Sequence, residues 1–78
     1  MPIYFVRQYH RMIATDLPSW TLGRETAFLA SDDDEARIIG KLQHTSNDAL
    51  FGALTLVFDA DEKRVWESSW DRGIRSAG

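Results

Sequence analysis

The fold is decided by the stretch Ala27-Phe-Leu-Ala-Ser-Asp-Asp-Asp-Glu-Ala-Arg-Ile-Ile-Gly-Lys-Leu-Gln43, which predicts the end of a strand, a helix start and a helix. Ser31 is predicted to be the N-cap, because its hydroxyl can accept a hydrogen bond from a backbone N–H of the first turn. Asp34, three residues later, makes an acidic variant of the capping box. The rest of the chain is typical of strands and loops, which this one helix has to cover.

The apolar residues of this stretch follow helical spacing. Ala36, Ile39 and Leu42 recur three residues apart, and Ile38 widens the stripe. Gly40 lies inside the helix, although glycine costs roughly 1 kcal/mol there relative to alanine. A close approach to a sheet would explain the small residue, so we expect the helix to pack tightly on strands at this point.

Consecutive acidic residues open the helix. They put negative charge at the positive end of the helix dipole, which is a sufficient structural reason for their presence. The functional interpretation is a surface that imitates nucleic-acid phosphates or docks on a basic partner. These candidate partner-binding residues are Asp32, Asp33, Asp34 and Glu35.

Length and composition indicate one small domain. A chain of 78 residues buries only about 60–65% of its unfolded surface, so a partner or a second copy would add stability. We predict a single domain over residues 1–70 and a flexible tail over 71–78. The absence of cysteine excludes disulfides and thiolate chemistry and fits a reducing compartment. No signal-peptide pattern opens the chain, and no apolar run approaches the roughly 18 residues of a membrane span, so we expect a cytoplasmic protein that does not contact a membrane.

The first predicted strand runs from Ile3 to about Ile13 and alternates imperfectly, which indicates a bend or bulge. Its cationic and aromatic side chains would suit a nucleic-acid surface, or they are the solvated face of an ordinary strand. The candidate nucleic-acid-binding residues are Arg7, Tyr9, His10 and Arg11. A net charge of −3 argues against this function, since nucleic-acid surfaces are usually basic.

A loop is predicted from Thr15 to Gly23, followed by a strand over Arg24–Ala30. Trp20 lies in this loop. It either packs on one end of the core or serves as an apolar anchor for a partner, because tryptophan is enriched at interface hot spots.

The second half of the chain predicts a strand pair. A polar turn is expected over His44–Asp48, and a short helical turn or strand start over Ala49–Phe51. In the strand Ala53–Asp59, Leu54, Leu56 and Phe58 alternate with Thr55, Val57 and Asp59. Asp59–Lys63 predicts a hairpin connection, and Arg64 to about Trp70 returns as the last strand.

These elements predict an α+β fold in the order β-β-α-β-β, with one helix packed on one face of a four-stranded antiparallel sheet. The other face must then be partly exposed or covered by something else. Trp66 is predicted on the strand face opposite Val65. Together with Trp70 and Tyr4 or Tyr9, it would form either an exposed aromatic patch, the kind of surface that marks an interface, or a second small core.

No pattern in the chain indicates catalysis or metal binding. Neither His10 nor His44 has a second ligand at a metal spacing, so no metal or cofactor is expected. His44, Ser46 and Asp48 lie in one polar turn, where a base cannot stand between a nucleophile and an orienting group. We therefore expect a protein that is not an enzyme.

Two resemblances bear on function. The segments Met1-Pro-Ile-Tyr-Phe-Val-Arg7, Ala30-Ser-Asp-Asp-Asp-Glu-Ala-Arg37 and Leu56-Val-Phe-Asp-Ala-Asp61, with Val65-Trp66, resemble a group of short proteobacterial proteins that open Met-Pro-x-Tyr-Phe. The chain is also similar to anti-CRISPR proteins of phages and mobile elements in size, acidity, lack of cysteine and a sheet-plus-one-helix plan. The second resemblance is one of type, so it carries over no functional residues.

The leading hypothesis is a non-enzymatic, protein-binding inhibitor. The resemblance to anti-CRISPR proteins implies a Cas subunit of a type I Cascade as the partner, and blocked target DNA binding as the effect. In this hypothesis the acidic helix start faces a basic channel, and Trp20 or Trp66 is the apolar anchor. The alternatives are a small nucleic-acid-binding or regulatory protein and a homo-oligomeric bacterial domain, so both a monomer and a homodimer remain open.

Overall fold

A computed structural model describes residues 2–11, 20–47, 49 and 52–71. Over these residues the chain forms four strands and one helix. In chain order they are β1 (Ile3–His10), β2 (Thr21–Leu29), α1 (Asp33–Thr45), β3 (Gly52–Asp59) and β4 (Arg64–Asp71). The strands form one antiparallel sheet in the order β2-β1-β3-β4. The predicted α+β class and element order are confirmed.

The register between β1 and β2 is irregular. Gln8 and Tyr9 are consecutive on β1, but their partners are Arg24 and Leu22, so Gly23 is an extra residue on β2. A Cβ on this glycine would lie 2.8 Å from the imidazole at the end of β1, which explains the need for glycine. The bend or bulge predicted for the first strand is therefore misplaced, because the extra residue belongs to the second strand.

Several predicted boundaries need correction. The first strand ends at His10 instead of Ile13, and residues 12–19 lie outside the described part of the chain. Thr21–Gly23, predicted as loop, belong to β2, because this segment continues the pairing with β1 beyond the bulge. At the other end, β4 includes Asp71, and the rest of the predicted tail is not described.

The N-cap of α1 is Asp32, and the prediction of Ser31 was wrong by one residue. Asp32 has extended backbone angles, and its side-chain oxygen accepts a hydrogen bond from the Glu35 backbone N–H at 2.9 Å. The Glu35 carboxylate in turn accepts the Ser31 backbone N–H at 2.7 Å. The capping pair is therefore Asp32 with Glu35, because the helical backbone begins only at Asp33.

The helix also continues further than predicted. His44 and Thr45, assigned from the sequence to a polar turn, form the last turn of α1. Ser46 is the C-cap, and its backbone N–H reaches the carbonyl oxygens of Leu42 and Gln43 at 3.2 Å. Polar residues occur in the last turn of a helix as well as in loops. The composition of His44 and Thr45 therefore did not indicate that the helix continues to Thr45.

The helix lies mainly over β3 and β4, with fewer contacts to β1. Its buried residues are Ala36 and Gly40. A Cβ on Gly40 would lie 2.5 Å from Val57 Cγ2, so the close approach predicted at this glycine is confirmed. The predicted apolar stripe is only partly correct, because Ile38 and Leu42 are each 62% exposed.

The predicted β3–β4 hairpin is confirmed. The strands are joined by residues 60–63, in which Glu62 has a positive φ of 63°. The Asp59 side chain accepts the backbone N–H groups of Asp61 and Lys63, both at 2.9 Å. The alternation predicted for β3 is also present, with Thr55 and Val57 buried beneath the helix.

A bulge in β4 overturns the predicted orientation of Val65. Trp66 lies opposite Val57, whereas Arg64 lies opposite Phe58, so Val65 is an extra residue between them. Strict alternation would put Val65 and Trp66 on opposite faces. The bulge instead allows both side chains to pack against the core.

The buried core combines small apolar side chains with one large aromatic side chain. It contains Tyr4, Val6, Ala30, Ala36, Ala53 and Val57. Among the described residues, no Leu, Ile, Phe or Trp is buried. Leu, Ile and Phe are among the residue types most often buried in proteins, but in the described residues they all stay at least partly accessible to solvent.

Candidate functional site

The acidic residues that begin α1 are exposed or half-buried, and they take part in local structure. Asp32 and Glu35 form the cap, and Asp34 pairs with Arg37 one turn later at 2.6 Å. Asp33 accepts a hydrogen bond from β1. These contacts give each carboxylate a structural role while leaving negative charge on the surface.

A hydrogen bond from Tyr4 ties the first strand to the helix start. The Tyr4 hydroxyl donates to Asp33 Oδ1 at 2.7 Å. This bond is the main reason why the pKa of Tyr4 is raised to about 12, and burial and the neighbouring carboxylates act in the same direction. The start of α1 is thus held at one end of the sheet.

The tryptophans predicted as anchors lie apart from the acidic cluster. Trp66 packs against the core with its ring centroid 6.1 Å from that of His44. Trp20 lies beside Arg11, whose guanidinium is 5.3 Å from the indole centroid. Arg11 directly follows the end of β1, whereas Tyr4, which contacts the helix start, lies near the beginning of β1. Along an extended strand at 3.3 Å per residue, Tyr4 and Arg11 are about 23 Å apart. Trp20 and the acidic cluster therefore lie at opposite ends of the sheet.

The predicted basic strip is divided between two faces. Alternation along β1 places Arg7 and Tyr9 on the face away from the helix and His10 on the other. Arg11 is only 3% exposed. Arg7 donates a hydrogen bond from Nε to Glu25. The four candidate residues do not form one surface that could follow a nucleic-acid backbone.

The sheet face away from α1 carries most of the large apolar side chains of the strands. Phe5 lies opposite Phe58, and Tyr9 opposite Leu54. Leu29, at the end of β2, is 59% exposed. We call this surface the open face, and its apolar members are Ile3, Phe5, Tyr9, Leu22, Ala27, Leu29, Leu54, Leu56 and Phe58.

A compensated charge lies in the middle of the open face. In addition to its hydrogen bond with Glu25, Arg7 has a nitrogen 3.8 Å from a Glu62 oxygen. Its guanidinium lies 4.6 Å from the centroid of the Phe58 ring. The bond to Glu25 is the largest cause that raises the pKa of Arg7. The cation is thus held by neighbouring carboxylates and lies over an aromatic ring.

The aromatic patch predicted around Trp66 and Trp70 does not form as proposed. Tyr4 and Trp66 belong to the helix-side core. Trp70 lies opposite Ala53, which is also on the helix side, whereas Tyr9 lies on the open face. Among the described residues, the large apolar side chains that are exposed are leucines and isoleucines, namely Ile3, Leu22, Leu29, Ile38 and Leu42.

His44 forms a hydrogen bond with the sheet. Its Nδ1 lies 2.8 Å from the buried Thr55 hydroxyl oxygen, and burial lowers the pKa of His44. Ser46, which the sequence placed beside it, instead donates its hydroxyl to the Leu42 carbonyl at 2.9 Å. The histidine and serine considered for a triad are therefore separately engaged, and Asp48 lies outside the described residues.

A groove of about 430 Å³ lies between the end of α1 and the strands β1 and β2. Gln8 spans part of it by donating to the Gln43 carbonyl at 2.9 Å. The lining side chains are Gln8, His10, Arg24, Gln43, Ser46 and Asn47. The described lining contains no carboxylate, so it offers no pair of acids for general acid–base chemistry.

Comparison with protein-family models, curated proteins and solved structures finds no match to this chain. Over the part of the chain described above, no three His, Cys, Asp or Glu residues are grouped so as to hold a metal ion. The same residues include no helix with the length and apolar character of a membrane span.

Proposed function

We propose that this chain is a non-enzymatic, protein-binding module whose docking surface is the open face. The observation that carries the proposal is the position of the large apolar side chains of β1 and β3. Phe5, Leu54, Leu56 and Phe58 lie together on the sheet face away from the helix and are only half-buried. Exposed apolar surface that is contiguous across several strands marks interaction sites in proteins.

The open face also has the composition of an interface centre. Two phenylalanines and a tyrosine supply rigid contact area, and the central Arg7 is already paired and stacked. Aromatic residues and arginine are enriched at the energetic centres of interfaces. Since Arg7 meets Glu25 within the chain, a partner can cover it without leaving an unpaired charge.

A photo-crosslinking amino acid at position 56 tests this surface in the cells that express the chain. We expect a discrete protein adduct from position 56, because Leu56 lies inside the open face. The matched control is position 42 on the outer side of α1, where a leucine is 62% exposed. Adducts from position 42 alone, or from neither position, would contradict the proposal.

For the partner, we propose the inhibitor function implied by the resemblance to anti-CRISPR proteins, with a type I Cascade subunit as the bound protein. Support comes from the exposed negative charge at the start of α1, which is suited to a basic DNA-binding surface. Asp34 is the carboxylate best suited to a test, since it is exposed and pairs with Arg37 on the surface.

Co-elution with purified Cascade at low salt is the corresponding experiment. We expect the chain to be retained, and Asp34→Lys to reduce retention more than Asp71→Lys, which reverses a charge at the other end of the sheet. Failure of the wild-type chain to co-elute would falsify the inhibitor function. Equal loss in the two variants would show that net charge, instead of the helix start, drives retention.

A further inference from the structure

We infer that the occupant of the open face is a second copy of this chain, which packs its own open face against the first. This inference rests on the proposed function and names the partner at that site. The resulting dimer has two sheets face to face, about 10 Å apart, with a helix on each outer side. Four features of the molecule favour a second copy over an unrelated protein.

The first feature is the resemblance of the open face to half of a core. Interfaces between permanent partners are more apolar than transient ones and resemble a domain core cut in two. Here the fully buried positions of the helix side hold alanine, valine and one tyrosine, with Phe28, Ile39 and Trp66 half-buried around them. The open face holds the leucines and phenylalanines of β1 and β3. A second copy supplies a matching apolar layer to a domain that is too small to build a large one.

The second feature is the balance of charge. The cations of the open face are paired within the chain, Arg7 with Glu25 and Glu62, and Arg64 with Glu67 at 3.1 Å. Because both signs are present and paired, the face repels its own copy only weakly and offers no strong single-sign field to select a charged partner.

The third feature is the position of the acidic cluster. The chain has a net charge of −3, and its acidic residues at the start of α1 belong to the helix layer. Packing two open faces together puts both helix layers on the outside. The two acidic clusters are then separated by both sheets, so the like charges do not oppose association.

The fourth feature is the available area. Four strands at about 4.8 Å spacing, with roughly seven residues each at 3.3 Å, span about 450 Å² before side-chain relief is counted. Two such faces bury on the order of 1,000 Å² in total, which is the lower range of specific interfaces. The expected dimer is therefore reversible and depends on protein concentration.

The test is the mass of the full chain by light scattering and sedimentation from about 1 to about 500 μM, a range over which a reversible dimer changes population. We expect the mass to rise from 8.9 kDa toward twice that value. Leu56→Lys at the centre of the open face should weaken the dimer at least about 100-fold, because a two-fold interface contains the change twice.

Matched controls keep the result interpretable. Leu42→Lys makes the same change at a leucine of 62% exposure on the helix, and it should leave the dimer intact. Leu29→Lys, at 59% exposure on the rim of the open face, avoids a folding defect and should weaken the dimer less than Leu56→Lys. Circular dichroism of each variant confirms that the sheet is retained.

The possible failures separate this inference from the proposed function. A chain that remains monomeric at all concentrations overturns the second copy as occupant. The proposed function then still stands if position 56 crosslinks to a different protein. A dimer that is lost with Leu42→Lys and unaffected by Leu29→Lys and Leu56→Lys places self-association on the helix and overturns the inference.

Discussion

Ser31 and Asp32 both have side chains that can cap the start of α1, and the structure assigns the role to Asp32. The two residues are adjacent and chemically similar, so sequence pattern alone does not separate them. Their backbone conformations do, because the cap must precede the first helical residue.

Replacing the cap gives the first prediction. Asp32→Ala should lower the free energy of unfolding by about 1 kcal/mol, since it leaves the Glu35 N–H without its acceptor and removes charge from the helix dipole. Ser31→Ala is the paired control and should change the stability by less than about 0.5 kcal/mol. Urea denaturation of both variants measures the difference. A larger loss of stability for Ser31→Ala than for Asp32→Ala would show that Ser31 is the N-cap.

The bond between Tyr4 and Asp33 gives a prediction at alkaline pH. The folded-state pKa of Tyr4 is about 12, above the value of about 10 in the unfolded chain. A raised pKa of an acid means that the stabilisation is fully present below pH about 10 and is lost as the pH rises toward about 12. In Tyr9→Phe, where Tyr4 is the remaining tyrosine, the phenolate absorbance should therefore appear near pH 12. The same protein in denaturant should titrate near pH 10.

Among the elements, α1 shows how one small residue sets the packing of a helix. Ala36 and Gly40 are one turn apart and allow the backbone to approach β3, so the larger Ile38 and Leu42 remain outside. The sequence pattern alone favoured the larger side chains for the buried stripe. Because the helix approaches the sheet through small residues, its buried stripe is centred on Ala36 and Gly40.

Gly40→Ala tests this arrangement. The new methyl would overlap Val57 Cγ2, at 2.5 Å, and also press on the Trp66 ring at 3.1 Å. Overpacking costs roughly 1–3 kcal/mol, while the better helix propensity of alanine returns about 1 kcal/mol. We expect a net loss of about 1 kcal/mol in chemical denaturation. Lys41→Ala, exposed on the same helix, is the control and should change stability by less than about 0.5 kcal/mol. A more stable Gly40→Ala protein would contradict the tight contact.

For the molecule as a whole, the two sides of β3 have different energetic roles. Val57 is fully buried under the helix, whereas the adjacent Leu56 is half-buried on the open face. Burial stabilises in proportion to the apolar area removed from water, so the smaller valine contributes more to the isolated chain than its size suggests. Leu56 contributes fully only when a partner covers it.

The pair Val57→Ala and Leu56→Ala separates these roles. Val57→Ala should cost about 2 kcal/mol at every protein concentration, because it leaves a cavity in the monomer core. Leu56→Ala should cost less than about 1 kcal/mol in dilute solution and more when the protein is concentrated, since the partner stabilises only the folded state. Thermal unfolding over a range of concentrations measures both. A concentration-independent cost for Leu56→Ala would show that this side chain serves the monomer alone.

Most of the fold could be predicted because its signals are local. Acidic residues before an apolar stripe predict a helix, alternation over Ala53–Asp59 predicts a strand, and Asp59–Lys63 predicts the hairpin. The errors are of two kinds. Boundaries moved by one to three residues at Asp32, Thr45 and His10, where polar residues fit either state. Val65 was misplaced because a bulge breaks the alternation that the prediction assumed.

The open face could not be identified in the same way. Leu54, Leu56 and Phe58 on one side of β3 are larger than Ala53, Thr55 and Val57 on the other, so hydrophobicity favours the wrong side for burial. Local signals were enough to name the elements and their order, because capping and alternation act between near neighbours. The face that the helix covers is set by long-range packing, since Ala36 and Gly40 bring the helix close to Val57 and leave the larger side chains of β3 on the other face.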